Sequence, residues 1–72
     1  MSVAKEPHES LSDRELQVLY LIANGMKLSE IANDLSISVK TVSTYRSRIL
    51  DKLGVHTTGD IIRYAFEHRL VE

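Results

Sequence analysis

The sequence predicts a small all-α domain of four helices with a helix-turn-helix at its centre. Three observations carry that prediction. Apolar residues recur at three- and four-residue steps in four separate runs. Ser12, Ser38 and Thr57 stand just ahead of three of those runs, where a helix start needs a side-chain oxygen. The second run covers about two turns and is followed, after a three-residue break, by a longer third one, which is the spacing of a helix-turn-helix unit.

Met1 to Ser10 is polar, contains Pro7 and has no period that lets it pack, so residues 1–10 are expected to be a flexible start or a linker remnant and the domain to occupy 11–72. Ser12 and Glu15 have capping-box spacing, with Leu11 as the hydrophobic residue before the cap. Leu16, Leu19, Tyr20 and Ala23 then share a face that Val18 and Ile22 broaden, and Asn24-Gly25 ends the first helix. The second helix, Leu28 to Leu35, turns Ile31, Ala32 and Leu35 inward; Lys27 stands where a serine would complete a capping box with Glu30. Ser36, Ile37 and Ser38 form the break. With Ser38 as cap, the third helix runs to Leu53 and stops at Gly54 in a left-handed conformation. Val42, Ile49 and Leu53 make its inward stripe, which Val39 and Leu50 extend, while Lys40, Ser43, Thr44, Ser47, Arg48 and Asp51 form the opposite surface and Lys52 lies at its margin. Thr57 and Asp60 cap the fourth helix. Its Ile61, Ile62, Ala65 and Phe66 are more than a solvated helix tolerates; part of this face packs on the first helix, and the rest is either core or meets another subunit.

With 72 residues the chain is one domain at most, and a chain of that length buries only about 60% of its unfolded surface. No cysteine is present, which excludes disulfides, thiolate metal sites and cysteine nucleophiles. The longest apolar stretch, Val18 to Ala23, is far shorter than a membrane span, and no signal-peptide pattern opens the chain, so a cytoplasmic protein with no membrane contact is expected. His8, His56 and His68 are spread over the start, a connection and the last helix, without a partner at metal-ligand spacing, and the dipole of the last helix suffices to explain His68. The three glycines stand apart rather than in a phosphate loop. Neither an enzyme nor a cofactor or metal site is expected.

The net charge of −1 conceals an asymmetry: residues 36–58 carry Lys40, Arg46, Arg48 and Lys52 against Asp51 alone, whereas residues 1–35 carry three basic and six acidic side chains. Positive charge concentrated in one segment suits a local phosphate contact, although four such residues also fit a solvated helix face. Reading bases in the major groove takes a helix with compact polar residues outward, flanked by groups that reach phosphate. The third helix fits: Ser43, Thr44, Ser47 and Arg48 are the base-facing candidates, with Arg48 taking either guanine or a phosphate and the Thr44 methyl meeting thymine. Lys40, Arg46 and Lys52 suit the backbone or surface pairing, and Ser38 and Thr41 bring hydroxyls and free N–H groups of the helix start towards a phosphate, Ser38 being equally a plain cap. The alternative is a helical protein-interaction or dimerisation module that binds through Ile61, Ile62 and Phe66 and leaves the third helix as inert exterior.

The run Leu11-Ser12-Asp13-Arg14-Glu15, then Val18-Leu19, Gly25, Glu30-Ile31-Ala32, Leu35, Ile37-Ser38, Lys40-Thr41-Val42 and Lys52-Leu53-Gly54-Val55, closely resembles the LuxR/FixJ-type helix-turn-helix domain at the C-terminus of NarL-like response regulators. The resemblance spans about residues 11–71. It implies sequence-specific binding of double-stranded DNA as the output domain of a two-component transcription regulator, a receiver domain in the full-length protein, and a homodimer on DNA through the fourth helix, with Thr58, Ile62, Phe66 and Arg69 at the interface. By position, the base-facing residues follow Thr41-Val42, at Ser43 and Thr44, with Ser47 one turn on. Ser43 replaces a frequent lysine, and Tyr45 stands where histidine is common. Lys27-Leu28-Ser29 replaces a Ser-Asn-Lys/Arg run, so the usual phosphate contact of the second helix is either lost or moves to Lys27. Thr58 stands for a common arginine, Ile61 for an alanine and Arg69 for a glycine. Glu15 also belongs to the pattern, and a pairing with a cation of the third helix, Lys52, is expected.

Overall fold

The computed structural model describes residues 6–71. Among them are four α-helices and no strand: α1 (Asp13–Ala23), α2 (Leu28–Leu35), α3 (Val39–Leu53) and α4 (Thr58–Glu67), preceded by a short 3-10 turn, Pro7–Ser10. Local chemistry sets every boundary. Ser12 and Thr57 each accept a hydrogen bond from the backbone N–H three residues on, and Glu15 and Asp60 reach back to close the box. Ser38 accepts from Thr41 N–H alone. At α2 only half a box exists: Glu30 accepts from Lys27 N–H at 2.8 Å, and Lys27 has no side-chain oxygen to return the bond.

All four helices end in one way. Gly25, Ser36, Gly54 and Arg69 take positive φ, and the residue after each donates its N–H to a carbonyl five residues back, for example Ile37 to Ala32 and Leu70 to Ala65. Glycine adopts this conformation freely, whereas Ser36 and Arg69 hold it against a Cβ clash.

Val18, Leu19 and Ile22 of α1, Ile31 and Ala32 of α2, Val42, Ile49 and Leu53 of α3, and Ile61 and Tyr64 of α4 make one core. α1 packs on both α3 and α4, and α2 rests mainly on α3, so α3 is held along its apolar stripe from two sides. Five expected inward positions are partly open. Val39 is 49% exposed in the first turn of α3, Tyr20 stands at the rim, and Leu16, Leu35 and Leu50 are half-buried. The buried face of α1 is rotated towards Glu15, Val18, Leu19, Ile22 and Ala23.

The segment before α1 also differs from expectation over its described part. Glu6–Ser10 is laid against α3 and α4: His8 N–H donates to the Tyr64 hydroxyl at 3.1 Å, and Lys52 Nζ donates to the Ser10 carbonyl at 3.3 Å. Pro7 starts this turn with its φ already fixed, and Tyr64 supplies the polar partner that no local pattern revealed. The expectation for residues 1–5 lies outside the described residues.

Candidate nucleic-acid interface

The groove-facing candidates are set by helical register. At roughly 100° per residue, Lys40, Thr44, Ser47 and Asp51 lie opposite Val42 and Ile49, with Ser43 and Arg48 on the flanks. Lys40, Thr44, Ser47 and Arg48 are exposed, Ser43 is half-buried, and Val42 and Ile49 are wholly inside. One side of α3 is therefore anchored and the other is a solvent-facing strip of short polar groups with cations at its edges.

Hydrogen bonding differentiates the strip further. The Thr44 hydroxyl donates to the Lys40 carbonyl one turn back at 3.1 Å, which spends its donor on the helix and leaves the methyl group and an acceptor outward. Ser38 and Thr41 are engaged with each other, Oγ to Oγ1 at 2.9 Å, while Ser38 caps the helix. Their hydroxyls are thus partly committed, while the N–H groups of Val39 and Lys40, in the first turn, have no carbonyl within the helix to bond. Lys27 is exposed ahead of α2.

Two cations point elsewhere. Lys52 Nζ lies 2.7 Å from Glu15 Oε1, the expected pairing, and also donates to Ser10. Glu15 is 2% exposed, and the Lys52 hydrogen bond followed by that from Ser12 N–H holds its carboxyl below the ordinary 4.5, against the opposing effect of burial. This ion pair braces α1 to α3 and takes Lys52 away from the groove-facing group. Arg46 is half-buried, and its Nε donates to Thr58 Oγ1 at 2.8 Å, joining α3 to the start of α4.

On α4, Ile62 is half-buried and Phe66 is 51% exposed one turn later, so part of the apolar face expected at a subunit contact is open. Thr58 is occupied by Arg46, and Arg69 lies past the end of the helix in the left-handed conformation.

Sequence reasoning missed the cluster built on Tyr64. The hydroxyl lies 3.0 Å from His8 Nδ1, the His68 ring stacks on the tyrosine at 3.9 Å, and His68 Nδ1 is 3.7 Å from Glu6. His8 and His68, which have no companions in sequence, are neighbours in space with ring centroids 5.6 Å apart. Burial pushes the Tyr64 phenol above its ordinary 10.0. Among the described residues no three His, Cys, Asp or Glu side chains are grouped to hold a metal ion. A signal for Tyr64 existed: with Ile61 and Ala65 it completes a three- and four-residue step on the buried face of α4.

Residues 9–65 match the family of bacterial regulatory proteins called the luxR family, or GerE. The chain is 51% identical over 63 residues to a Pseudomonas aeruginosa protein named as a candidate transcriptional regulator, covering 88% of this chain and 30% of that protein. It is 41% identical over 66 residues to the response regulator UvrY of Escherichia coli, covering 92% of this chain and 30% of UvrY. Against the response regulator VraR of Staphylococcus aureus it is 42% identical over all 72 residues, which span 34% of VraR. The chain therefore covers about a third of the length of these relatives. The matched residues take in α1, α2, α3 and most of α4, and the chain belongs to the LuxR family of bacterial regulatory proteins.

Proposed function

We propose that the chain is the DNA-reading output domain of a bacterial two-component transcription regulator. The observation that carries this reading is the two-sided character of α3: a wholly buried Val42–Ile49 stripe backs an exposed strip of Lys40, Thr44, Ser47 and Arg48, as major-groove entry requires. Ser43, Thr44 and Ser47 face the bases. Thr44, its hydroxyl donor spent, favours a thymine methyl or a base donor. Arg48 takes guanine or a phosphate; Lys40, Lys27 and the N-terminal N–H groups of α3 beside Ser38 and Thr41 take the backbone. In this reading two copies meet on DNA through Ile62 and Phe66 of α4, a receiver domain precedes this domain in the full-length protein, and the protein works in the cytoplasm without catalysis. Two facts agree with that setting: UvrY and VraR are named response regulators, and no helix among the described residues is long and apolar enough to cross a membrane.

Selection from a random duplex pool, at stated salt, with the wild type and a Lys40→Ala/Arg48→Ala double variant tests it. Enrichment of a paired-half-site motif by the wild type, lost in a folded double variant, is the expected result. Equal enrichment by both proteins would remove α3 from the reading role.

A further inference from the structure

The charge pattern places Arg46 among the phosphate-binding cations, but its position on α3 does not. Arg46 sits about 40° around the helix axis from Val42 and about 60° from Ile49, on the arc facing the protein, whereas Lys40, Thr44 and Asp51 lie on the far side. Its side chain is half-buried, and the Nε–H is directed at Thr58 Oγ1 across the α3–α4 junction. The junction itself is short: Gly54 to Thr57 link a left-handed stop to a capping box. Arg46 stands seven residues before the end of α3, roughly 10 Å along the axis from that hinge. A hydrogen bond there closes a triangle whose apex is the junction and whose sides are α3 and the first turn of α4. The apolar contacts among Ile49, Leu53 and Ile61 resist separation of the two helices, whereas a directional bond from a rigid planar guanidinium resists their rotation.

We infer that Arg46 is a positioning residue for DNA reading. Through Thr58 it fixes the orientation in which α3 presents Ser43, Thr44 and Ser47, and it is not a phosphate ligand. The inference rests on the DNA-reading function proposed above. Thr58, at the start of α4, thereby acts on base recognition without touching DNA.

The test compares the wild-type chain with Arg46→Met, Thr58→Val, Thr58→Ser and the Arg46→Met/Thr58→Val double variant. Each is first used to select from a random pool of duplexes about 30 base pairs long, enough for two half-sites a helical turn apart. Binding to the wild-type winner is then measured as a function of salt, with the folded fraction taken from circular dichroism. Positioning predicts that Arg46→Met and Thr58→Val weaken that duplex by a similar factor, about three- to tenfold, and broaden the selected motif or its spacing. It also predicts a double variant no worse than either single, an unchanged salt slope, and rescue by Thr58→Ser. A slope lowered by about 0.9 in Arg46→Met, with Thr58→Val behaving as wild type, would make Arg46 a phosphate ligand and overturn the inference. Lower melting temperatures with unchanged affinity and motif per folded molecule would make the bond a structural pin only, which also overturns it. If the wild type binds no duplex at any salt, the DNA reading falls and the inference with it, an outcome distinct from the other two.

Discussion

Arg69 holds φ at 56° at the end of α4, where the backbone reverses and Leu70 N–H closes onto Ala65 C=O at 2.8 Å. A Cβ at that position is strained and glycine is not. Arg69→Gly is expected to stabilise the fold by about 1 kcal/mol, seen by calorimetry as a rise of about 4–8 °C in Tm for a domain this small. A fall would mean that the arginine side chain contributes more than its backbone costs. Glu15 makes a second test at this scale. Its carboxyl is held below 4.5 in the folded chain, so the Lys52 pair contributes its full stability above that value and loses it as pH falls through the lowered pKa. Lys52→Met leaves a buried carboxylate with only its Ser12 bond and is expected to cost about 2 kcal/mol near neutrality, discounted because Lys52 is 37% exposed. In thermal melts from about pH 7 to about pH 3 the gap between variant and wild type should narrow on the acid side; a constant gap would show that the bond from Lys52 to the Ser10 carbonyl matters, not the pairing with Glu15.

At the level of elements, helix ends were legible in the sequence and helix faces less so. Caps and left-handed stops are written within four residues, so Ser12, Ser38, Thr57 and Gly54 locate their boundaries unaided. The burial of Glu15, by contrast, depends on Lys52, 37 residues away, and that of Tyr64 on His8, 56 residues away. No periodicity in α1 or α4 contains either partner, so neither Glu15 nor Tyr64 entered the expected inward faces. The same limit applies to the interface. The outward strip of α3 follows from period alone, and the pairing of Lys52 with Glu15 follows from the family resemblance, but the withdrawal of Arg46 from the strip follows from neither, because its charge is visible in the sequence and its partner Thr58 is not. Lys40→Ala and Ser38→Ala separate two roles that α3's first turn combines. The lysine variant should lower the slope of log affinity against log salt by about 0.9 with little change in stability. Loss of the Ser38 cap should cost about 1 kcal/mol of stability in denaturant titrations and leave the slope unchanged. Equal slopes in all three proteins would remove Lys40 from the phosphate contacts.

For the molecule as a whole, the proposed function gives a single α3 a single half-site, and a longer operator would then call for two copies. The part of α4 open for pairing is small, with Phe66 exposed and Ile62 half-buried beside it. An apolar patch of two side chains does not hold a dimer in dilute solution. The chain alone is therefore expected to sediment as a monomer at micromolar concentration and to pair on a two-half-site duplex. Phe66→Ala should reduce the cooperativity of that pairing while leaving affinity for an isolated half-site unchanged; a tight dimer without DNA would refute this arrangement. The strap Glu6–Ser10 has a mechanical consequence. Any tension on the polypeptide ahead of Glu6 is met first by Glu6 against His68, then by His8 on Tyr64, and last by the Ser10 carbonyl on Lys52, before it reaches α1. These anchors are loaded in series, so they peel one at a time and release slack of roughly 20 Å while the four helices stay packed. The strap is a fuse: force arriving from upstream is met first at the flank of α4 and reaches α3 only at its last anchor, Lys52.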